Sequence, residues 1–179
     1  MRLRSNLSLK KTMVDPHSEH SAIRERITEH AFLADLCREL WRRGKYEMEV
    51  LRAEADTAGY DLVVTVEGIT RHIQLKAKTA EGKPSQWKIS ERLLDKPNGC
   101  VVILFVRQED LLTEKYAFFG AIPGGKLPDI TDAQKAKHTK GNAMGVKLCR
   151  KWHRKIGISK FEIFDNISEL ADKLFGTQA

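Results

Sequence analysis

Leu33, Leu36 and Leu40 fall on one narrow stripe at 3.6 residues per turn. Asp15-Pro16 offers an N-cap followed by proline at the first helical position, and Gly44 offers a stop, so the pattern predicts a helix from about 15 to 43. Glu29 lies on the same line, one turn before Leu33, where a carboxylate is costly unless it is paired or coordinated. The period then changes to two. Tyr46 to Leu51 alternates, and Tyr60-Asp-Leu-Val-Val-Thr-Val66 reads as a strand rich in β-formers. Glu67-Gly68 can turn the chain so that Arg71-His-Ile-Gln-Leu-Lys76 returns as a hairpin partner. From Ser85 to Asp95 the spacing of Trp87, Ile89, Leu93 and Leu94 predicts a second helix, stopped by Pro97-Asn98-Gly99. Cys100 to Val106 is apolar on both faces, as a central strand covered on each side must be. Tyr116 to Ile122 reads as a further strand, Phe161 to Phe164 as an edge strand and Ser168 to Phe175 as a closing helix. The elements imply one α/β domain over 15–179. Its core covers 19–122 with a mixed central sheet flanked by helices, followed by a basic insertion at 124–157 and a closing strand and helix at 160–176. Residues 1–14 are basic and unpatterned, and are expected to form a mobile arm.

A turn at Glu67-Gly68 sets a register in which Thr65 faces Thr70, Val63 faces His72 and Asp61 faces Gln74. Directly opposed residues share a face, and Lys76, two residues beyond Gln74, shares it too. Leu62, Val64, Ile73 and Leu75 then point the other way, into apolar packing. One face of one hairpin thus gathers an acid, an amide and an ammonium, with His72 beside them. Each has a plainer reading alone: Asp61 as a loop end, Gln74 and Lys76 as an exposed strand face, Glu29 as a partner for Arg26 three residues back. Their coincidence in one order of elements is what suggests a site.

Lys and Arg outnumber Asp and Glu by 31 to 24, and the resulting charge of +7 favours polyanionic partners. No acid stands between Asp132 and Glu162, a stretch that holds Lys147, Arg150, Lys151, Arg154 and Lys155 around Trp152. Basic residues with an aromatic among them can bind phosphates and stack on a base. Lys78 and Trp87 are further candidates for substrate contact by proximity. The cysteines, Cys37, Cys100 and Cys149, are odd in number, scattered and without a C-x-x-C, which fits a reducing compartment. The longest apolar run, Cys100 to Val106, is far too short to cross a bilayer. A cytoplasmic protein without membrane contact is expected.

The motif Tyr60-Asp61 … Gln74-Leu75-Lys76, set in the order helix, three strands, helix, strand, resembles the PD-(D/E)xK nuclease superfamily over roughly Ile27 to Val106. It is most similar to the Q-x-K variants of Mrr-type restriction enzymes, and the helical Glu29 is similar to the additional acid of archaeal Holliday-junction resolvases. The resemblance implies a restriction-endonuclease-like αβββαβ core. It implies Mg²⁺ or Mn²⁺ held by Asp61, Gln74, the Leu75 carbonyl and Glu29, with Lys76 as the catalytic lysine. The activity implied is metal-dependent DNA endonuclease in restriction, repair or recombination, on branched or sequence-selected DNA, with a homodimer as one assembly. Two departures stand out: Tyr60 replaces the proline of the motif, and Gln74 replaces an acid. A lost charge at about 4 Å and an effective dielectric of about 20 weakens cation attraction by up to several kcal/mol. Two other readings therefore stay open, a non-catalytic DNA-binding module and an interaction component of a nucleic-acid machine.

Overall fold

The structure is a computed structural model and describes residues 20–55, 57–79, 85–137 and 148–177. The basic arm at 1–14, the Asp15-Pro16 cap and Lys147 lie outside the described residues. Helix α1 spans Ser21–Arg42 and buries Thr28, Phe32, Leu36 and Leu40, four residues apart along one line, with Leu33 half-buried beside them. It ends where Gly44 takes a φ of 74°, a conformation that costs glycine nothing. Strands β1 (Met48–Arg52), β2 (Leu62–Val66) and β3 (Ile69–Thr79) follow as an antiparallel meander. The β2–β3 turn is the two-residue loop expected at Glu67-Gly68, both with positive φ (46° and 82°), as a type I′ turn requires. The register is the expected one, Val63 opposite His72 and Thr65 opposite Thr70. Asp61 stands just before β2, its amide donating to the Ile73 carbonyl at 2.9 Å.

The second helix expected at Ser85–Asp95 is not formed. In its place are strand β4 (Gln86–Ser90) and a 3₁₀ turn over Glu91–Asp95. Trp87 and Ile89 are buried with Lys88 between them, a two-residue period in residues that favour strands, and this outweighs the helical spacing of Leu93 and Leu94. The crossover that follows β3, a helix in the αβββαβ expectation, is therefore made by a strand and a turn. Strand β5 (Gly99–Val106) runs parallel to β3 and antiparallel to β6 (Thr113–Gly120), and with β9 (Glu162–Phe164) they form a six-stranded mixed sheet of order β1-β2-β3-β5-β6-β9. The basic insertion contributes β7 (Lys135–Lys137) and β8 (Cys149–Gly157), which join β4 in a second, antiparallel sheet of order β4-β8-β7.

The two faces of the mixed sheet are covered differently. Cys100, Val102, Leu104 and Val106 of β5 pack with Phe32, Leu36 and Leu40 of α1 and with Leu170, Leu174 and Phe175 of helix α2 (Ile167–Phe175). Val101 and Ile103 pack the other way, against Trp87, Ile89, Leu93 and Ile156. Both helices thus lie on one face, and the second sheet covers the other. The short edge strand β9 (Glu162–Phe164) pairs with β6, as expected from its sequence. Asn166 caps α2 by accepting from the Glu169 amide at 2.9 Å, and Glu169 in turn accepts from the Asp165 amide, one residue before the cap, at 3.1 Å.

Buried charge ties the helices together. Glu39 accepts from Arg42 and Arg43, and Arg43 reaches Asp172 and Ser168 of α2. The Arg42 guanidinium, with Arg43 and Ser168, holds the Glu39 carboxyl down to about 2 despite its burial. Arg71, fully buried on β3, donates to the Leu174, Lys173 and Ala121 carbonyls and so fastens the end of α2 to the sheet. No helix of the described residues is long and apolar enough to cross a membrane.

Candidate active site

Parallel pairing of β3 with β5 sets Gln74 beside Val101, Lys76 beside Ile103 and Lys78 beside Phe105. These side chains therefore face the second sheet, while Leu75 and Ala77 face the helices. Where β2 stops pairing with β3 beyond Ile73, a cleft of about 700 Å³ opens, lined by α1 on one side and by the second sheet on the other. Its lining includes Asp61, Gln74, Leu75, Lys76, Ala77 and Lys78 from the hairpin, and Glu25, Thr28 and Glu29 from the first turns of α1. Gln86, Trp87 and Lys88 of β4 and Arg150 and His153 of β8 form the opposite wall. Glu29 of α1, Asp61 of the segment before β2, and Gln74 and Lys76 of β3 all line this one space.

Asp61 is tethered by its own hairpin: one carboxylate oxygen accepts the Leu75 amide at 2.7 Å. The loop before it is shaped by Gly59, whose φ is 82° and whose Cα approaches Ser90 so closely that a Cβ would lie 2.6 Å from the Ser90 Oγ. Gln74 is 3% exposed, and its Oε1 accepts the Ser90 amide at 3.2 Å, linking β3 to β4 across the back of the cleft. Glu29 pairs with Arg52 of β1 at 3.0 Å, in place of the Arg26 partner its sequence spacing suggested. Trp87 is 8% exposed, packs its ring edge against Phe105, and has an indole N–H with no partner among the described residues.

The nucleic-acid candidates divide. Lys78, Trp87 and Arg150 line the cleft. His72 does not, because it sits at the turn end of the long strand β3, with Nδ1 2.8 Å from the Pro97 carbonyl and its ring on Tyr60. Arg154 is turned inward onto Glu91 and the Ala133 carbonyl and is largely buried, a structural role for a residue expected to meet DNA. Lys155 stands opposite Lys88 on the second sheet, outside the lining. Lys151 lies over the Trp152 ring. Glu47 and Glu49 line a separate shallow depression with Thr65 and Glu67.

Glu25, Thr28, Gln86, Lys88 and His153 were missed. Lys88 was within reach of the alternation Trp87-Lys-Ile89, had it been read with period two. Thr28 and Glu25 lie within one turn of Glu29. His153 enters only through the pairing of β8 with β4, where it faces Ser90, and no local pattern announces that register.

The oxygen donors of the cleft suit a hard divalent cation in kind. Asp61 and Glu29 supply carboxylates, and an amide oxygen such as that of Gln74 keeps a second lone pair while bound to one N–H. Among the described residues no three His, Cys, Asp or Glu side chains gather as a metal-binding group. Carboxylate and amide oxygens are donors of the kind that Mg²⁺ takes beside water and substrate phosphate.

No family model matches the chain, and no curated protein matches it. Among solved structures the chain is similar to Hjc, a Holliday junction resolvase from the archaeal hyperthermophile Archaeoglobus fulgidus, at 17% sequence identity and a TM-score of 0.39. That likeness covers 77% of this chain and 98% of the other.

Proposed function

We propose that this chain is a divalent-metal-dependent DNA endonuclease of the PD-(D/E)xK kind. One observation carries the reading: an acid before β2, an amide and a lysine on β3, and an acid on α1 line a single cleft walled by basic residues. Asp61 and Glu29 would hold the cation, with the Gln74 oxygen and the Leu75 carbonyl as further donors. The ion's chemistry is to polarise the scissile phosphate and favour hydroxide over water. Lys76 orients the attacking water and neutralises charge growing on the phosphoryl oxygens. Lys78, Lys88 and Arg150 take the neighbouring phosphates and fix the strand. The buried indole N–H of Trp87 supplies one more donor beside them.

The test is cleavage of plasmid and branched DNA with Mg²⁺ or Mn²⁺, beside Asp61→Ala and Lys76→Ala. Metal-dependent cutting that falls at least about 100-fold in both variants is the expected result. The rival reading, a DNA-binding module without turnover, is favoured by the Ser90 bond on the Gln74 oxygen. It predicts that no substrate is cut and that salt-sensitive binding survives Asp61→Ala unchanged.

A further inference from the structure

Trp152 stands 41% exposed on β8 and belongs to neither hydrophobic core. The Arg92 guanidinium lies 5.3 Å from its ring centre and the Lys151 ammonium 4.8 Å. Arg92 is anchored by a hydrogen bond to the Thr57 carbonyl, in the loop that leads to Asp61. Lys151 is exposed, and its hold on the ring is of the weak solvent-facing kind. Arg150 and His153, flanking Trp152 on the same strand, both line the cleft. At about 3.4 Å of rise per residue the Trp152 backbone is within about 7 Å of each, or about two nucleotide steps of one DNA strand.

We propose that Trp152, with Arg92 and Lys151, is a stacking site for an unpaired nucleotide adjoining the phosphate held in the cleft. The proposal rests on the nuclease reading of the cleft and specifies its substrate class, DNA with a single-stranded segment at the cut site. A base within duplex already spends both faces on its neighbours, so only an unpaired one can use the ring. When the base stacks, it displaces Lys151, whose ammonium then meets the adjoining phosphate. Arg92 stays in place because Thr57 holds it. Continuity with the cleft and the surrounding positive charge favour a nucleotide over an apolar protein segment.

The test is binding of the full chain in EDTA, where cutting cannot interfere, by fluorescence anisotropy. The probes are a labelled duplex and the same duplex with a single-stranded flap. The expected result is about tenfold tighter binding of the flapped DNA, lost in Trp152→Ala and kept in Trp152→Phe, with duplex affinity changed less than about twofold. A circular-dichroism melt checks that the variants fold. Equal affinity of the wild type for the two probes, or a preference that survives Trp152→Ala, overturns the stacking site while leaving the nuclease reading standing. Absence of binding to either probe overturns both.

Discussion

One oxygen of Asp61 is engaged by the Leu75 amide, so charge and hydrogen bonding can be separated at that residue. Asp61→Asn keeps an acceptor for the amide and removes the charge. It is expected to melt close to wild type and to lose at least about 100-fold in metal-dependent cutting. Asp61→Ala also orphans the Leu75 N–H, adding about 1–3 kcal/mol of destabilisation. Thermal melts beside cleavage rates decide the matter: an Asn variant that cuts like wild type removes Asp61 from the chemistry. Asp61, Gln74 and Lys76 line one cleft, and the register of the β2–β3 hairpin was legible because side-chain alternation is a local property of a hairpin whose turn could be placed. The Ser90 partner of Gln74 and the Arg52 partner of Glu29 were not. Both contacts join elements whose mutual placement depends on packing, which no spacing within either element encodes.

Elements here are held by two devices that sequence patterning only half shows. Gly59 and Gly68 both carry φ of 82°, but a Cβ at Gly68 meets nothing within 4 Å while one at Gly59 collides with Ser90. Gly68→Ala should therefore cost about 1–2 kcal/mol from backbone strain alone. Gly59→Ala should cost clearly more, because β4 must move off the Asp61 loop. Urea midpoints measure the pair, and equal losses would mean that the Gly59–Ser90 contact does not constrain the fold. The second device is the Glu39 network between α1 and α2. The Arg42 hydrogen bond, with Arg43 and Ser168, lowers the Glu39 carboxyl from its ordinary 4.5 to about 2. Its stabilising effect is therefore fully present above about pH 4.5 and disappears as pH falls through about 2. Glu39→Gln should destabilise by about 3 kcal/mol at pH 6, the low end for a broken buried pair because Arg42 is mostly exposed. The gap from wild type should close as pH approaches 2, and a gap independent of pH would show that the carboxylate charge is not what joins the helices. The central strand β5, edge strand β9 and helix α2 were readable from their own residues. Ser85–Asp95 was not, because its four apolar positions satisfy a helical template and only pairing with β8 and burial against the mixed sheet make the two-residue period the operative one.

For the whole molecule the question is which of its many cations meet DNA, and the net charge of +7 does not answer it. The basic stretch between Asp132 and Glu162 was plain in the sequence, but its division between two tasks was not. Arg150 lines the cleft, whereas Arg154 is committed to Glu91 in a largely buried pair. That division is measurable through salt dependence, because each neutralised phosphate releases counterions and steepens the fall of affinity with salt by about 0.9 in the logarithmic slope. Lys76, Lys78, Lys88 and Arg150 line the cleft, so if each meets a phosphate the slope should be about −3.6. Lys88→Ala should reduce its magnitude by about 1, equally for unrelated duplex sequences, since phosphate contacts carry no sequence information. Arg154→Ala should leave the slope of the folded protein unchanged and lower its stability instead, by removing one partner of a buried ion pair. Affinities of the two variants measured from about 50 to 200 mM salt distinguish the cleft from a diffuse basic surface. If Arg154→Ala changes the slope as much as Lys88→Ala, binding follows total charge, and the cleft is not the path of the DNA.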